Sequence, residues 1–271
     1  MKRLSNEEEL KLVEEYKQGI HVNQLMKKYG FSTKKSITDK VKKHFPNTYK
    51  EIMKEAKINR KDYKINVKEI NDYFIAYFIG LMLTDGYIQD SNKFGMQLVD
   101  EDCINFISKI TNKSYHTYND NNPQHQECYR IIFSDKEQVN NLKRYGIERN
   151  KTKTISGFNF NRSEEKYIPY VIRGIIDGDG CIYYTSKHTP AFFIVTASYD
   201  FAKWLQNILE NKLYMNDIHI TKTCDDCYRV ETGLFTNMVK LLFIVYDQPY
   251  GMNRKYELLR KMFRDYNGNF L

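Results

Sequence analysis

Two aspartates stand in matching sequence contexts that could support metal chemistry. Asp85 and Asp179 each follow an apolar segment, each precedes a glycine, and they lie 94 residues apart. Two carboxylates that are brought together repel each other, and a divalent cation such as Mg²⁺ removes that repulsion. A water bound to such an ion can attack a phosphodiester in line. A lone Asp-Gly pair is most often a turn, so this hypothesis requires that the fold bring both copies together.

Apolar helices are predicted to position these aspartates. Segments 73–83 and 167–179 are both apolar, and each has a glycine in its interior, Gly80 or Gly174. A glycine inside a helix costs roughly 1 kcal/mol relative to alanine. That cost is tolerated where two helix backbones must approach closely. We therefore predict that the two helices pack along a seam containing both glycines and deliver their aspartates to the same end of the pair.

The sequence that follows each of these helices is repeated. The tripeptide Cys-Tyr-Arg at 128–130 recurs at 227–229, and the Tyr-Gly pair at 145–146 recurs at 250–251. Together with the aspartates, these anchors occur in the same order twice, which chance does not readily produce. Between the anchors, each half alternates helical and strand-like patterns in the same order. We predict an α+β fold with pseudo-twofold symmetry, in which one αββαββα unit is duplicated.

The two acidic motifs resemble those of a known family. Residues 78–86 read FIGLMLTDG, and residues 172–180 read IRGIIDGDG. These motifs resemble the LAGLIDADG endonucleases, and the resemblance covers about residues 70–265. The second motif is the closer match, whereas the first has Leu83 where the family often has its first acid. The resemblance implies two halves at 70–160 and 161–271, with two antiparallel sheets that form a saddle over DNA.

The resemblance also implies an activity and a set of metal ligands. A single chain with two motifs would be a homing endonuclease that cuts both strands of a long asymmetric DNA target, using Mg²⁺ or Mn²⁺. Asp85 and Asp179 would then be the catalytic metal ligands, and metal contacts are also expected at Gly86 and Gly180. Asp177 is interpreted as a residue of the helix end rather than as a ligand.

A basic residue follows each Tyr-Gly anchor, where the family often places one near its active site. Such a residue polarises the attacking water or the phosphate. Lys151 and Lys255 are the candidates for this catalytic role, and Lys153 and Arg254 compete with them. A surface lysine that contacts phosphate is an equally good interpretation of either candidate.

One face of each predicted sheet should contact DNA, because alternate residues of a strand share a face. A register error of one residue would turn each of these side chains to the other face. The candidate DNA contacts on the strands and their turns are Gln89, Gln97, Arg130, Tyr184, Lys187, Lys222 and Arg229.

The formal charge of +8 is concentrated in one part of the chain. Residues 1–66 hold 17 Lys and Arg against 9 Asp and Glu, whereas the remainder holds 25 of each sign. A basic excess in a single segment is typical of a nucleic-acid-binding module. A solvated lysine-rich surface would give the same charge, so the charge alone does not decide between the two.

Residues 1–45 are predicted to form a small all-α helix-turn-helix domain. Leu10, Val13 and Tyr16 recur at helical spacing, and Gly30 makes the turn before a third helix. In a helix-turn-helix the second helix of the motif enters the major groove, although a plain three-helix cap would show a similar pattern. The expected DNA contacts on the third helix are Lys34, Lys35, Ser36, Thr38 and Lys42.

Other segments limit the organisation of the chain. Residues 46–69 are predicted to be a linker with one short helix around 49–56. No secretory signal is present, and the longest apolar stretch is shorter than the ~20 residues that span a bilayer, so we expect a soluble intracellular monomer. Cys224 and Cys227 have zinc-like spacing, but no second pair of ligands accompanies them. The residues between them, 225–226, are interpreted as a hairpin turn.

Two other functions use the same kind of fold. One is an RNA-splicing maturase, and the other is a DNA-binding regulator whose endonuclease-like domain is inactive. Retention of Asp85 and Asp179 argues against an inactive domain. The helix-turn-helix favours duplex DNA, because the deep and narrow major groove of RNA excludes such a helix. We further expect a freestanding protein, encoded within an intron or between genes, rather than an intein.

Overall fold

The computed structural model describes residues 4–20, 22–59, 64–118, 126–223 and 226–267. The chain divides into two compact units, Met1–Lys64 and Ile65–Leu271. Within the described residues, no helix is both long enough and apolar enough to cross a membrane. Most of the hairpin turn expected next to Cys227 lies outside the described residues, since Cys224 and Asp225 are not among them.

The first unit contains four helices, α1 (Asn6–Lys17), α2 (Val22–Tyr29), α3 (Lys34–His44) and α4 (Tyr49–Asn59). Its apolar core draws on all four, and α4 contributes Ile52 and Ala56. The helix expected in a linker therefore belongs to the first unit. Leu10, expected on the buried face of α1, is 43% exposed, and Leu12 is buried there instead. Val13 and Tyr16 are buried as predicted, so the helical period is right and only the face predicted for Leu10 is wrong.

The second unit contains the duplicated architecture. Its first half consists of α5 (Tyr73–Leu83), β1 (Gly86–Asp90), β2 (Lys93–Leu98), α6 (Glu101–Thr111), β3 (His116–Tyr118), β4 (Cys128–Ser134) and α7 (Lys136–Leu142). Its second half consists of α8 (Ile168–Asp179), β5 (Gly180–Tyr184), β6 (Pro190–Thr196), α9 (Tyr199–Asn211), β7 (His219–Lys222), β8 (Tyr228–Thr232), α10 (Phe235–Lys240) and α11 (Asn253–Asn267).

Each half forms a four-stranded antiparallel sheet, and the two sheets have equivalent strand orders, β1-β2-β4-β3 and β5-β6-β8-β7. The predicted α+β fold with a duplicated αββαββα unit is confirmed. The second half has two further features. The helix that begins at Phe235 leaves α-geometry after Lys240 and continues as a π-helix over Leu241–Val245. The long helix α11 follows it, and the described residues of the first half contain no counterpart of that length.

The helices α5 and α8 pack against each other through backbone contact at two glycines. A Cβ atom on Gly174 would collide with the carbonyl oxygen of Tyr77 and would lie 2.9 Å from the Cα of Gly80. A Cβ atom on Gly80 would in turn lie 2.8 Å from the Cα of Gly174. Since no side chain fits between the backbones, the seam inferred from the sequence is where the two helices meet.

Gly174→Ala is expected to lower the free energy of unfolding by about 1–3 kcal/mol, because the added methyl group overpacks a contact between two backbones. Gly233→Ala is the matched control, since its added Cβ would lie 3.9 Å from the Cβ of Ala191, an ordinary contact. Urea unfolding of both variants measures the difference. Equal stabilities would show that the helices are not in contact at Gly174.

Candidate active site

The paired helices bring the two aspartates to one place. Asp179 is the last residue of α8, and Asp85 follows Thr84, the residue that caps the C-terminus of α5. A Cβ atom on Gly178 would lie only 2.6 Å from Oδ2 of Asp85. The carboxyl group of the first half therefore rests directly against the helix end of the second half.

The environment of the two carboxyl groups disfavours their negative charge. Oδ2 of Asp85 is buried and has no hydrogen-bond partner. Desolvation raises the pKa of Asp85 to about 7, and the charge of Asp179 adds to this effect, while Lys255 and Lys151 oppose it. Asp179 has an exposed side chain, yet desolvation by nearby protein atoms still raises its pKa, against the effect of the same two lysines.

These carboxyl groups fit a hard divalent cation. A buried carboxylate oxygen without a partner, next to a second carboxylate, is an incomplete set of oxygen ligands of the kind that Mg²⁺ prefers. Among the described residues, no cluster of three or more His, Cys, Asp or Glu side chains could hold a metal ion. The remaining ligands would therefore be waters, carbonyl groups and substrate phosphates, which is how Mg²⁺ is usually held.

Lys255 is buried and bonded to the C-terminal end of α8. Its Nζ donates to the carbonyl oxygens of Ile176 at 2.6 Å, Asp177 at 2.7 Å and Gly180 at 2.6 Å. An ammonium group has three N–H donors, so all three are engaged. Lys255 thus satisfies carbonyl groups at a helix end and has no donor left for a water or a phosphate.

Lys151 occupies the equivalent position in the first half, but with fewer bonds. Its Nζ donates to the carbonyl oxygens of Thr84 at 2.9 Å and Gly86 at 2.6 Å, which leaves one N–H. Lys151 and Asp179 also line a cavity of about 50 Å³, which is large enough for a water molecule. Burial lowers the pKa of both Lys151 and Lys255. Of the two lysines, Lys151 is the one whose hydrogen bonds to described residues leave an N–H for a further acceptor.

The other residues expected near the metal have clear positions. The carbonyl oxygens of Gly86 and Gly180 each accept a hydrogen bond from a lysine, so one acceptor position of each is taken. Lys153, a competitor of Lys151, is exposed. Arg254, a competitor of Lys255, donates to the carboxylate of Asp100 at 2.7 and 3.1 Å.

Asp177 is predicted only to end its helix, but its carboxylate is the acceptor of a buried hydrogen-bond network. It is fully buried and accepts hydrogen bonds from the hydroxyls of Tyr77 at 2.8 Å and Tyr246 at 2.6 Å, and from the backbone N–H of Met252 at 3.2 Å. Nε of Arg173, also fully buried, lies 3.6 Å from it. Because Tyr77 belongs to the first half, this carboxylate links the two halves. An Arg and an Asp four residues apart within the apolar stretch of α8 are the sequence signal for this role.

In each of the two sheets, the face that points away from the helices carries one of the two repeated arginines. Arg130 pairs with Gln97 across β4 and β2, and Arg229 pairs with Val195 across β8 and β6. Their neighbours in sequence point into the core, where Ile131 and Val230 are fully buried. We call the faces bearing these arginines the outer faces of the two sheets.

Three other strand and turn candidates do not share the outer face. Lys222 pairs with Tyr228, whose ring packs on Tyr199 of α9. Lys222 therefore lies on the helix side of its sheet. Tyr184 likewise points away from Arg229, since its hydroxyl donates to Asp265 of α11. Lys187 is exposed in the turn between β5 and β6. For the two strand candidates, the register of the strand decides which face of the sheet the side chain lies on.

In the first unit, the basic residues of α3 fall into two groups. Lys34, Lys35 and Lys42 are exposed, as a DNA-contacting face requires, while Ser36 and Thr38 are half-buried. The second group is not apparent from the sequence pattern. It consists of Lys40, Lys43 and His44, and all three side chains contact the buried carboxylate of Glu9 in α1.

These contacts fix the orientation of α3 within its unit. Hydrogen bonds from Lys40 and Lys43 lower the pKa of Glu9 to about 2, against the effect of burial. Part of the basic charge of α3 is therefore neutralised internally. Lys34, Lys35 and Lys42 are the lysines of α3 that are exposed and lie outside this cluster.

Comparisons with known proteins give matches in structure only. No protein-family model matches the chain, and no curated protein matches it. The matched structures include the LAGLIDADG meganuclease I-AabMI bound to uncleaved DNA, with 12% identity, 74% of this chain and 90% of that chain covered, and a TM-score of 0.47. A structure of I-SmaMI has 11% identity, coverages of 72% and 92%, and a TM-score of 0.49. The N-terminal LAGLIDADG domain of WhiA has 11% identity, coverages of 72% and 93%, and a TM-score of 0.46. I-AabMI and the WhiA domain are both described as LAGLIDADG proteins, the family that the two acidic motifs resemble.

Lys255→Met is expected to lower the free energy of unfolding by about 3 kcal/mol or more, because three carbonyl groups, two of them in buried hydrogen bonds, would lose their donor. Lys151→Met removes only two such bonds and should cost less. Thermal or urea unfolding of the metal-free protein measures both effects without reference to activity. A Lys255→Met protein as stable as Lys151→Met would contradict the capping role.

Proposed function

We propose that this chain is a metal-dependent endonuclease of the LAGLIDADG type, which hydrolyses one phosphodiester in each strand of a long asymmetric DNA site. The observation that carries the proposal is the meeting of Asp85 and Asp179, one from each half, at the same end of a single helix pair. An oxygen of Asp85 is buried there without a partner. Two pseudo-equivalent acids suit a substrate that itself has two strands.

The chain's own groups divide the work of such a reaction. Asp85 and Asp179 would hold Mg²⁺ or Mn²⁺, and a divalent ion supplies an activated water and neutralises charge on the leaving oxygen. Lys151 would direct its remaining N–H at the water or the phosphate beside Asp179. Lys255 would keep the end of α8 in place, so that Asp179 is presented at a fixed position.

The proposed DNA contacts lie on two surfaces. The outer faces of the two sheets offer Gln97, Arg130 and Arg229 for base and phosphate contacts. The exposed lysines of α3 would add phosphate contacts from the first unit, as in a helix-turn-helix. The charge of the first unit would thus contribute affinity, whereas the chemistry would remain with the second unit.

Asp85→Asn and Asp179→Asn should each lose cleavage of at least one DNA strand by about 100-fold or more while keeping DNA affinity, because each removes a metal ligand and no surface contact. Asp200→Asn, an exposed aspartate of α9, is the control. A target is first selected from a randomised duplex library, and plasmids carrying it are then assayed for nicking and linearisation with Mg²⁺.

The outcomes of this assay separate the candidate functions. Normal cutting by either Asn variant would remove that residue from the site. A wild-type protein that selects a duplex motif but never cuts it would be a DNA-binding regulator. Binding to structured RNA without selection of a duplex motif would instead indicate a maturase.

The exposed lysines of α3 should contribute to the salt dependence of DNA binding. The double variant Lys34→Gln/Lys35→Gln should reduce the slope of log K against log salt by about 0.9 for each phosphate that the variant no longer neutralises. Lys50→Gln/Lys54→Gln, which removes the same charge from exposed positions of α4 in the same unit, is the control. Equal slopes for the two variants, measured by salt titration, would indicate that α3 does not face DNA.

A further inference from the structure

The two repeated arginines occupy equivalent positions but have different surroundings. Arg130 of β4 and Arg229 of β8 are each the third residue of a repeated Cys-Tyr-Arg segment, and both lie on the outer face of their sheet. Across the neighbouring strand, Arg130 faces Gln97 and Arg229 faces Val195. A polar residue opposite one arginine and an apolar residue opposite the other make the two outer faces unequal.

Arg130 is held in a defined orientation by two contacts. Its Nε and Nη2 both donate to Oε1 of Gln97, at 3.0 and 2.6 Å. Its guanidinium carbon lies 3.8 Å from the centre of the Tyr118 ring, so the planar group is stacked on an aromatic face. An arginine that is fixed before binding loses less side-chain entropy when it meets a ligand.

The amide that holds Arg130 is itself oriented. Nε2 of Gln97 donates to Sγ of Cys128 at 2.9 Å, and that thiol donates to the carbonyl oxygen of Tyr118 at 3.3 Å. The amide oxygen of Gln97 is therefore turned toward Arg130. Tyr118 is therefore contacted twice, by the thiol of Cys128 at its carbonyl oxygen and by the guanidinium group of Arg130 at its ring.

This arrangement leaves one edge of the guanidinium group for a ligand. A guanidinium has five N–H donors, and Gln97 takes that of Nε and one of Nη2. Within the described residues, the donors that remain are on Nη1 and Nη2, and they form the parallel pair that matches two adjacent acceptors. In the major groove, O6 and N7 of guanine present such a pair.

We propose that Arg130 reads a single guanine in the half of the DNA target that contacts the first sheet. Gln97 is a positioning residue for this contact. The inference rests on the proposed function, since it requires that the outer face of the sheet lie in a major groove. Two-stranded β-ribbons do read bases in that groove.

Arg229 is placed less well for the same task. Its guanidinium carbon lies 4.1 Å from the centre of the Phe193 ring, but its Nη1 is 3.6 Å from the carboxylate of Glu231. Glu231 also accepts a hydrogen bond from Thr221 at 3.0 Å, which keeps the carboxylate on this face. The carboxylate competes with a base for the terminal N–H groups, so the guanine preference should be stronger in one half-site than in the other.

Selection of bound duplexes tests this proposal. Full-length wild-type, Arg130→Lys and Arg229→Lys proteins each select from one randomised duplex library, with EDTA present so that the DNA is bound and not cut. Lysine keeps the charge but offers a point donor in place of the parallel pair. For Arg130→Lys we expect the preference for guanine at one position to fall by about tenfold or more, with the rest of the motif retained.

Matched variants separate reading from folding and from charge. Arg229→Lys should leave that guanine position unchanged, and Gln97→Leu should weaken its preference while the melting temperature of the protein stays near that of the wild type. An Arg130→Lys motif identical to the wild-type motif would show that Arg130 contacts only phosphate and would overturn the proposal. Selection of no motif by any of the proteins would overturn both this inference and site-specific DNA recognition.

Discussion

The contact between the backbones of α5 and α8 at Gly80 and Gly174 is the constraint on which the rest of the second unit depends. Because neither glycine has room for even a methyl group, the two helices can approach this closely only with glycine at both positions. Their C-terminal ends then converge, and Asp85 is pressed against Gly178. The proximity that makes two carboxylates costly without a cation is therefore built into the helix crossing.

Two sets of buried polar groups maintain that crossing. Arg173 and Asp177 are both fully buried, and Asp177 is bonded to Tyr77 of the first half as well as to Tyr246 of its own. Such a buried pair is costly to desolvate, but losing one partner costs more than the pair contributes. At the ends that carry the acids, Lys151 and Lys255 bind carbonyl groups. Most of the charged groups around the two acids are therefore engaged in holding the helices and their ends in place.

Much of this architecture follows from local patterns that a sequence displays directly. The apolar helices, the interior glycines and the repeated Cys-Tyr-Arg and Tyr-Gly anchors predict the duplicated fold and the meeting of Asp85 with Asp179. What the sequence could not predict depends on contacts between distant segments. The partners of Glu9 lie 31–35 residues away, and the carbonyl groups bound by Lys255 lie 75–79 residues away.

Strand register is a second property that the sequence alone could not predict. A strand that is located correctly still leaves two choices of face, and a shift of one residue reverses them. Tyr184 and Lys222 fall on the helix side for this reason, whereas Arg130 and Arg229 fall on the outer faces. The asymmetry between Gln97 and Val195 is visible only once the pairing of β2 with β4 and of β6 with β8 is known.

The central claim is that the helix crossing places Asp85 and Asp179 in one shared, desolvated site. Titration of metal-free protein with ¹³Cγ-labelled aspartate, followed by NMR, measures this directly. We expect Asp85 to titrate with an apparent pKa of about 7, and Asp179→Asn to lower that pKa by removing the neighbouring negative charge. An Asp85 carboxyl that titrates near its ordinary pKa of ~4, or whose pKa does not change in Asp179→Asn, would show that the two acids do not share a site.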